Sequence, residues 1–200
     1  MSAGIVSTVD TAWVAELVSS QRLEHIRLVT ETAEHIASLV GVDPARAALA
    51  AALHDAAREM PPQRLLELAP PRNEFERRFP MVLHGRVARR LAQERGVSDL
   101  AVLRAIEGHT TGLVGMGPLE MVVFVADKCS PDRGMKGELI ELAGRDLLAA
   151  FKQALISSLE YLTQVVRAPI HPVTIGVWNQ LVEERGTSAG GNSLPLGLKG

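Results

Sequence analysis

Six side chains of metal-ligand type follow one another along the chain: His25, the adjacent pair His54-Asp55, His84, His109 and Asp127. The adjacent pair is the most informative. Successive residues of an α-helix point about 100° apart, so a neighbouring imidazole and carboxylate can grip one cation from adjacent directions. The second carboxylate oxygen can then bridge to another cation. Asp55 lies inside Ala51-Ala52-Leu53-His54-Asp55-Ala56-Ala57, and Asp127 follows Val122-Val123-Phe124-Val125-Ala126. Carboxylates set in runs built for burial need a cationic partner, because an unpaired buried charge is costly. A metal ion is one such partner; ion pairs with Arg58 and Lys128 are the competing one. The donor set is nitrogen and oxygen without thiolate, which argues against a structural zinc site and for Fe, Mn, Zn or a similar divalent ion in a hydrolytic centre. One divalent ion between two carboxylates is formally neutral. Two ions would leave about two positive charges to face a phosphate and would activate water at neutral pH. His84 and His109 either complete a second ion or stay metal-free and donate to phosphate oxygens. His35 lies nearly three turns beyond His25 on the same stretch, too far to share an ion, and is read as structural.

These side chains must be carried by helices. Leu23, Ile26, Thr30, Ala33, Ala37 and Val40 alternate steps of three and four, and Gly41 ends that helix. Asp43-Pro44 is an N-cap with proline at the first helical position, opening a helix over Ala45 to Ala57. Met60-Pro61-Pro62 ends it and starts a short helix through Ala69. Asn73 to Phe79 reads as a short helix or ordered loop, and Leu83 to Arg95 as a helix closing at Gly96. Ser98 is expected to cap the next helix, which turns Leu100, Leu103 and Ile106 inward and ends near Gly108-His109. Thr110 to Gly117 is loop. Pro118 opens a helix through Asp127; its β-branched core would also suit a buried strand, but no other segment offers a partner strand. A turn-rich stretch from Ser130 to Gly137 leads to a helix over Asp146 to Val166, and a last helix runs from His171-Pro172 to Gly186. The fold class is therefore all-α, with one domain over residues 1–186 and a disordered tail over 187–200.

Composition narrows the functional classes. A formal charge of −2 gives no electrostatic case for nucleic acid or an anionic membrane as partner. The single cysteine, Cys129, rules out an intramolecular disulfide and is read as a small core residue. Met1 to Asp10 lacks a basic start followed by an apolar run, and no stretch approaches the ~20 apolar residues of a membrane span. A cytoplasmic protein is expected, and a homodimer is compatible with the sequence.

The order of ligand-type residues resembles the HD superfamily of metal-dependent phosphohydrolases. Over about Arg22 to Asn179 the local words resemble one branch, the bacterial YqeK family of symmetrical bis(5′-nucleosyl)-tetraphosphatases. The carriers are Arg22-Leu23-Glu24-His25, Leu53 through Pro61, Leu83-His84-Gly85, His109-Thr110-Thr111-Gly112, Ala126-Asp127 with Pro131 and Arg133, and Ile170-His171-Pro172 with Thr174 and Asn179. The resemblance implies an HD-domain helical bundle with its metal site in a central cavity. It implies hydrolysis of dinucleoside tetraphosphates, diadenosine tetraphosphate into two ADP, with iron as the metal and Mn or Zn as alternatives. Carried over by position, His25, His54, Asp55 and Asp127 are core ligands, with His84 and His109 available to a second ion. Asp55, His84 and His109 are implied as catalytic. Arg58, His84, His109, Thr110, Arg133, His171 and Thr174 are implied to face the nucleotide.

The chain departs from that family in three places. Arg58 stands where lysine is usual, Lys128-Cys129-Ser130-Pro131 where Tyr-Ile-Glu-Pro is usual, and Trp178 where arginine is usual. All six ligand-type residues are retained, so the departures bear on nucleotide preference and turnover. A nucleotide phosphatase, an alarmone hydrolase or a non-catalytic nucleotide-binding HD module are the competing functions. On spacing alone Thr110 and Thr111 would also serve as loop caps, Arg133 as a solvated charge and His171 as a helix entry.

Overall fold

The structure, a computed structural model, describes residues 10–133 and 137–188; for residues 133 and 184–188 it describes the backbone alone. The described residues form ten α-helices and no strand. The first, α1 (Ser20–Val40), starts at Ser19, whose hydroxyl accepts from the Arg22 N–H, and stops at Gly41 in the left-handed region, φ 72°. Asp43 caps α2 (Pro44–Leu53) by accepting from the N–H groups of Ala45 and Arg46.

The end of α2 is the first departure from the sequence reading, which extends that helix to Ala57. After Leu53 the chain winds more tightly, through Ala56 N–H to Leu53 O (3.2 Å), Arg58 N–H to Asp55 O (2.9 Å) and Met60 N–H to Ala57 O (3.2 Å). The following Pro61 disfavours helical backbone at Met60, and i→i+3 bonds are the usual way a helix end tightens. His54 and Asp55 thus stand at a helix terminus rather than in mid-helix.

Two short helices, α3 (Pro62–Leu68) and α4 (Glu74–Arg78), lead through a 3-10 turn at Pro80–Leu83 into α5 (His84–Glu94). Asp99, not Ser98, caps α6 (Leu100–Gly108): its carboxylate accepts from Ala101 and Val102 N–H and, at 2.8 Å, from the Arg46 guanidinium of α2. With the cap at Asp99, Leu100 occupies the first turn and is 62% exposed, contrary to the expected inward position, while Val102, Leu103 and Ile106 are buried.

The central element is α7 (Pro118–Cys129), helical as expected and buried along nearly its whole length. It packs against α1, α2, α6 and α9, which is why its sequence is apolar on all sides rather than along one stripe. The sequence reading has no counterpart for α8 (Gly137–Arg145), which buries only Leu139 and Ala143. The helix expected over Asp146 to Val166 divides into α9 (Leu147–Glu160), capped by Asp146, and a π-helical turn at Tyr161–Val166 closed by Arg167 at φ 54°. The last helix, α10 (Pro172–Ser188), runs two residues past the expected stop at Gly186. The rest of the expected tail, residues 189–200, lies outside the described residues, as do residues 1–9.

Helices α5 and α6 approach each other at Gly85. A Cβ there would lie 2.7 Å from the Glu107 carbonyl oxygen and 3.3 Å from that of Ile106. That contact sets His84, beside Gly85, against His109, just beyond α6. Gly85→Ala is expected to push the two helices apart, costing about 1–3 kcal/mol by overpacking and separating the two imidazoles. Denaturant unfolding reads the first effect; a stability equal to that of the unaltered protein would show that the backbone there yields freely.

Candidate metal centre

Four buried imidazoles surround one carboxylate. Asp55 Oδ2 lies 3.8 Å from His25 Nε2 and 3.6 Å from His54 Nε2, while Asp55 Oδ1 lies 3.3 Å from both His84 Nε2 and His109 Nε2. Each oxygen of Asp55 thus faces its own pair of histidines. Asp127 joins the first pair, with Oδ1 3.3 Å from His25 Nε2 and 3.9 Å from His54 Nε2.

The ring orientations follow from where each histidine sits. His54 and His109 terminate α2 and α6, and His84 opens α5. A carbonyl oxygen has two lone pairs, and each of these rings takes one on the carbonyl three residues back, which at Ala51 and Met81 also accepts the histidine's own N–H. His54 Nδ1 donates to Ala51 O (2.6 Å), His84 Nδ1 to Met81 O (2.6 Å) and His109 Nδ1 to Ile106 O (2.8 Å), in each case three residues back. A carbonyl only accepts, so the proton is on Nδ1 and each Nε2 presents a lone pair. His25, in the second turn of α1, reaches the same state differently: its Nδ1 lies 2.6 Å from Asp132 Oδ2, and Asp132 Oδ1 accepts from the Ser130 hydroxyl at 2.7 Å.

Lone pairs converging on carboxylates make a cation site. His84 Nε2 and His109 Nε2 stand 3.0 Å apart, and the Thr110 hydroxyl oxygen is 3.1 Å from each. Two such lone pairs repel unless a positive charge lies between them. Among the described residues, the buried Nε2 atoms of His25 and His54 have no hydrogen-bond partner. His25, His54 and Asp127, and likewise His54, Asp55 and His109, are arranged so that one atom of each could hold a common ion. The residues therefore fit a metal by position and by donor chemistry, and the anchoring of each ring through its second nitrogen is the support that metal-binding histidines require.

Burial disfavours charge on Asp55, and it takes positive charge or N–H donation on the side of His54, His109 and His84 to hold the carboxyl well below the usual range; with these rings as lone-pair donors, that charge has to come from a cation. Burial pushes His54 down, and pushes His109 down to about 4, so both rings are neutral ligands at neutral pH. Burial lowers His25 too, but Asp127 and Asp132 more than offset it and the ring is raised.

The ion pairs weighed in the sequence are partly present. Asp127 Oδ2 pairs with Lys128 Nζ at 2.6 Å; Asp55 pairs through Oδ2 with Arg22 Nη1 at 3.0 Å, not with Arg58. These cations each hold one oxygen of a carboxylate that also faces imidazoles. Above the centre opens a cavity of about 410 Å³ whose lining includes Asp55, Arg58, His84, His109, Thr110 and Lys128, with Met81, Val82, Leu162 and Val166 as its apolar wall.

His171 and Thr174 make their contacts outside the metal centre. His171 Nε2 lies 3.5 Å from Glu76 Oε1, and its Nδ1 accepts from the Val173 N–H at 3.1 Å. The Thr174 hydroxyl donates to Thr111 O at 2.9 Å, so α10 clasps the loop that carries Thr110. The side chain of Arg133 lies outside the described residues. His35 is exposed, away from the site. Sequence reasoning missed Asp132 and Arg22 as partners of the centre. Asp132 showed only its nearness in sequence to Asp127, and Arg22 its place in the word Arg22-Leu23-Glu24-His25.

Residues 22–132 match the HD domain family. The chain is 33% identical over 178 residues to the symmetrical bis(5′-nucleosyl)-tetraphosphatase of Bacillus subtilis (strain 168), covering 86% of this chain and 95% of that protein. It is 32% identical over 176 residues to the protein of the same name from Halalkalibacterium halodurans, with 84% and 92% covered. The chain belongs to this HD-domain family. A crystal structure of an HD superfamily hydrolase from Clostridium acetobutylicum, described as involved in NAD metabolism, superposes with a TM-score of 0.80 at 29% identity, covering 87% of this chain and 95% of that one. HD domains are metal-dependent, and the His/Asp groups described above are able to hold the ion.

Asp132 supplies a test of the ring-anchoring argument. Asp132→Asn removes the charge opposite His25 Nδ1 and is expected to weaken divalent-metal affinity about 10- to 100-fold. Calorimetric titration with Mn²⁺ measures it, and an unchanged affinity would dissociate Asp132 from the centre.

Proposed function

We propose that the protein is a metal-dependent hydrolase that cleaves dinucleoside tetraphosphates, diadenosine tetraphosphate above all, symmetrically into two nucleoside diphosphates. The observation that carries the proposal is the division of the Asp55 carboxylate between two pairs of imidazoles, at the floor of a cavity with two cations, Arg58 and Lys128, in its lining. The names of the relatives from Bacillus subtilis and Halalkalibacterium halodurans support the substrate class.

In this reading His25, His54, Asp55 and Asp127 hold one divalent ion, and Asp55 with His84 and His109 holds a second. Iron is the proposed metal. When bound, such ions supply Lewis acidity that activates water and offsets charge on the phosphate oxygens. The protein's own part is electrostatic and positional. Arg22 and Lys128 offset the charge of the two carboxylates, and burial keeps His54 and His109 neutral, so a bound divalent ion would add positive charge to a site meant for a polyanion. Arg58 presents a planar fork suited to paired phosphate oxygens. Thr110 sits beside His84 and His109, where its hydroxyl can orient a phosphate oxygen. The apolar wall of Met81, Val82, Leu162 and Val166 excludes water and offers a nucleoside a surface to pack on. A volume of about 410 Å³ is within the ~300–1,000 Å³ of small-molecule sites. Attack beside the central bridge of a near-symmetric substrate gives two identical products, and the leaving diphosphate spreads the departing charge.

The metal-loaded protein incubated with diadenosine tetraphosphate is expected to yield ADP as its one product, with no inorganic phosphate, and chelation is expected to abolish the reaction until iron or manganese is restored. Chromatography of the products decides it: AMP with ATP, or free phosphate, would replace this reading with asymmetric cleavage or a phosphatase.

Asp55→Ala is expected to lose metal and turnover together, because it is the residue shared by both histidine pairs, whereas His35→Ala should leave both intact. His109→Ala separates one ion from two. With two ions, bound metal falls by half and turnover by orders of magnitude. With one, metal content holds while turnover falls. Metal analysis and kinetics on these variants check the assignment, and full turnover in Asp55→Ala would sink it.

A further inference from the structure

Lys128 is more than the counter-ion of Asp127. It follows that residue on α7, and its Nζ donates to Asp127 Oδ2 at 2.6 Å and to the His109 carbonyl oxygen at 3.4 Å, while lying 4.9 Å from the centroid of the Phe124 ring. An ammonium group has three N–H donors and no acceptor. Two are directed at these oxygens, and the side chain, 19% exposed, is part of the cavity lining together with Arg58 and Thr110. The third donor is left for the cavity.

We infer that Lys128 is a polyphosphate-binding residue of this chain, giving that third donor to a non-bridging phosphate oxygen while it keeps its hold on Asp127. The inference rests on the reading of the cavity as a polyphosphate site. Lysine normally loses much rotamer freedom when it engages a ligand. Here the carboxylate, the carbonyl and the aromatic face have already fixed the side chain, so little ordering remains to oppose binding. An ammonium at position 128 brings a full charge to the phosphates, so their recognition depends on ionic strength.

Lys128→Gln keeps a donor for Asp127 but removes the charge. The test compares this variant, Lys128→Arg and the unaltered protein, all as full chains. ADP affinity of the Mn²⁺-loaded protein is measured by calorimetry at two salt concentrations. Mn²⁺ affinity is measured in the same way without nucleotide, and KM and kcat are measured on diadenosine tetraphosphate. Expected for Lys128→Gln is an ADP affinity weakened about tenfold or more, the loss of one charge-assisted hydrogen bond. Its salt dependence should be flatter, KM should rise more than kcat falls, and Mn²⁺ affinity should change less than about threefold. Lys128→Arg should recover part of the ADP affinity, which a misfolded chain would not. ADP binding unchanged in Lys128→Gln overturns the inference. Loss of Mn²⁺ affinity in step with ADP affinity overturns it too, since Lys128 would then only place Asp127. If the unaltered protein binds ADP but does not cleave diadenosine tetraphosphate, the proposed reaction fails while the ADP comparison still decides the role of Lys128.

Discussion

The fold of this protein turns on a proton-placement constraint. Four imidazoles give their Nδ1 proton away, three to a carbonyl three residues back and one to the Asp132 carboxylate. Each is thereby committed to facing inward with an Nε2 lone pair. A buried cluster of lone pairs and carboxylates is unstable without positive charge. Arg22 and Lys128 supply part of that charge, and the geometry leaves the remainder to a metal. The helices are placed accordingly: α2 and α6 end, and α5 begins, at the same central point.

This arrangement explains why the site uses helix ends more than helix faces. At a terminus the chain is free to turn, and the ring can fold back onto the carbonyl three residues earlier, taking its second lone pair where it already accepts the histidine's own N–H, as at Ala51 and Met81. The tightened winding after Leu53 serves the same end, since it releases Asp55 from a fixed helical direction. Its two oxygens can then serve different partners. The close approach at Gly85 is the packing counterpart, bringing two helix ends within the reach of two imidazoles.

Much of this was legible in the sequence because metal chemistry restricts residue types severely. The six ligand-type residues come together as their order suggested, and the caps at Asp43, Gly41 and Gly96 behave as local chemistry dictates. What stayed hidden depends on tertiary contact. The Ala-rich run through Ala57 has helical propensity throughout, and only the needs of the site and of Pro61 end it early. Asp99 rather than Ser98 takes the cap because it also meets Arg46 across α2. The α8 helix carries just two buried side chains, so its periodic signal was faint. His171 and Thr174 carried a selective sequence word, but their partners, Glu76 and the Thr111 backbone, could be found only in three dimensions.

The π-helical turn at Tyr161–Val166 has an evolutionary meaning. Leu162 and Val166 line the cavity, yet they lie beyond residues 22–132, which carry the ligand-type residues and match the HD domain. Part of the cavity's shape is thus written outside the stretch that carries its reactivity, the rest of the wall being Met81 and Val82. An insertion that widens α-helix into π-helix rotates every later side chain by a fraction of a turn, and Arg167 in the left-handed region then resets the direction of the backbone. Small changes of length in this segment can reshape the apolar wall without moving a single metal-ligand candidate. Lineages sharing the same catalytic core can therefore diverge in what they admit to it.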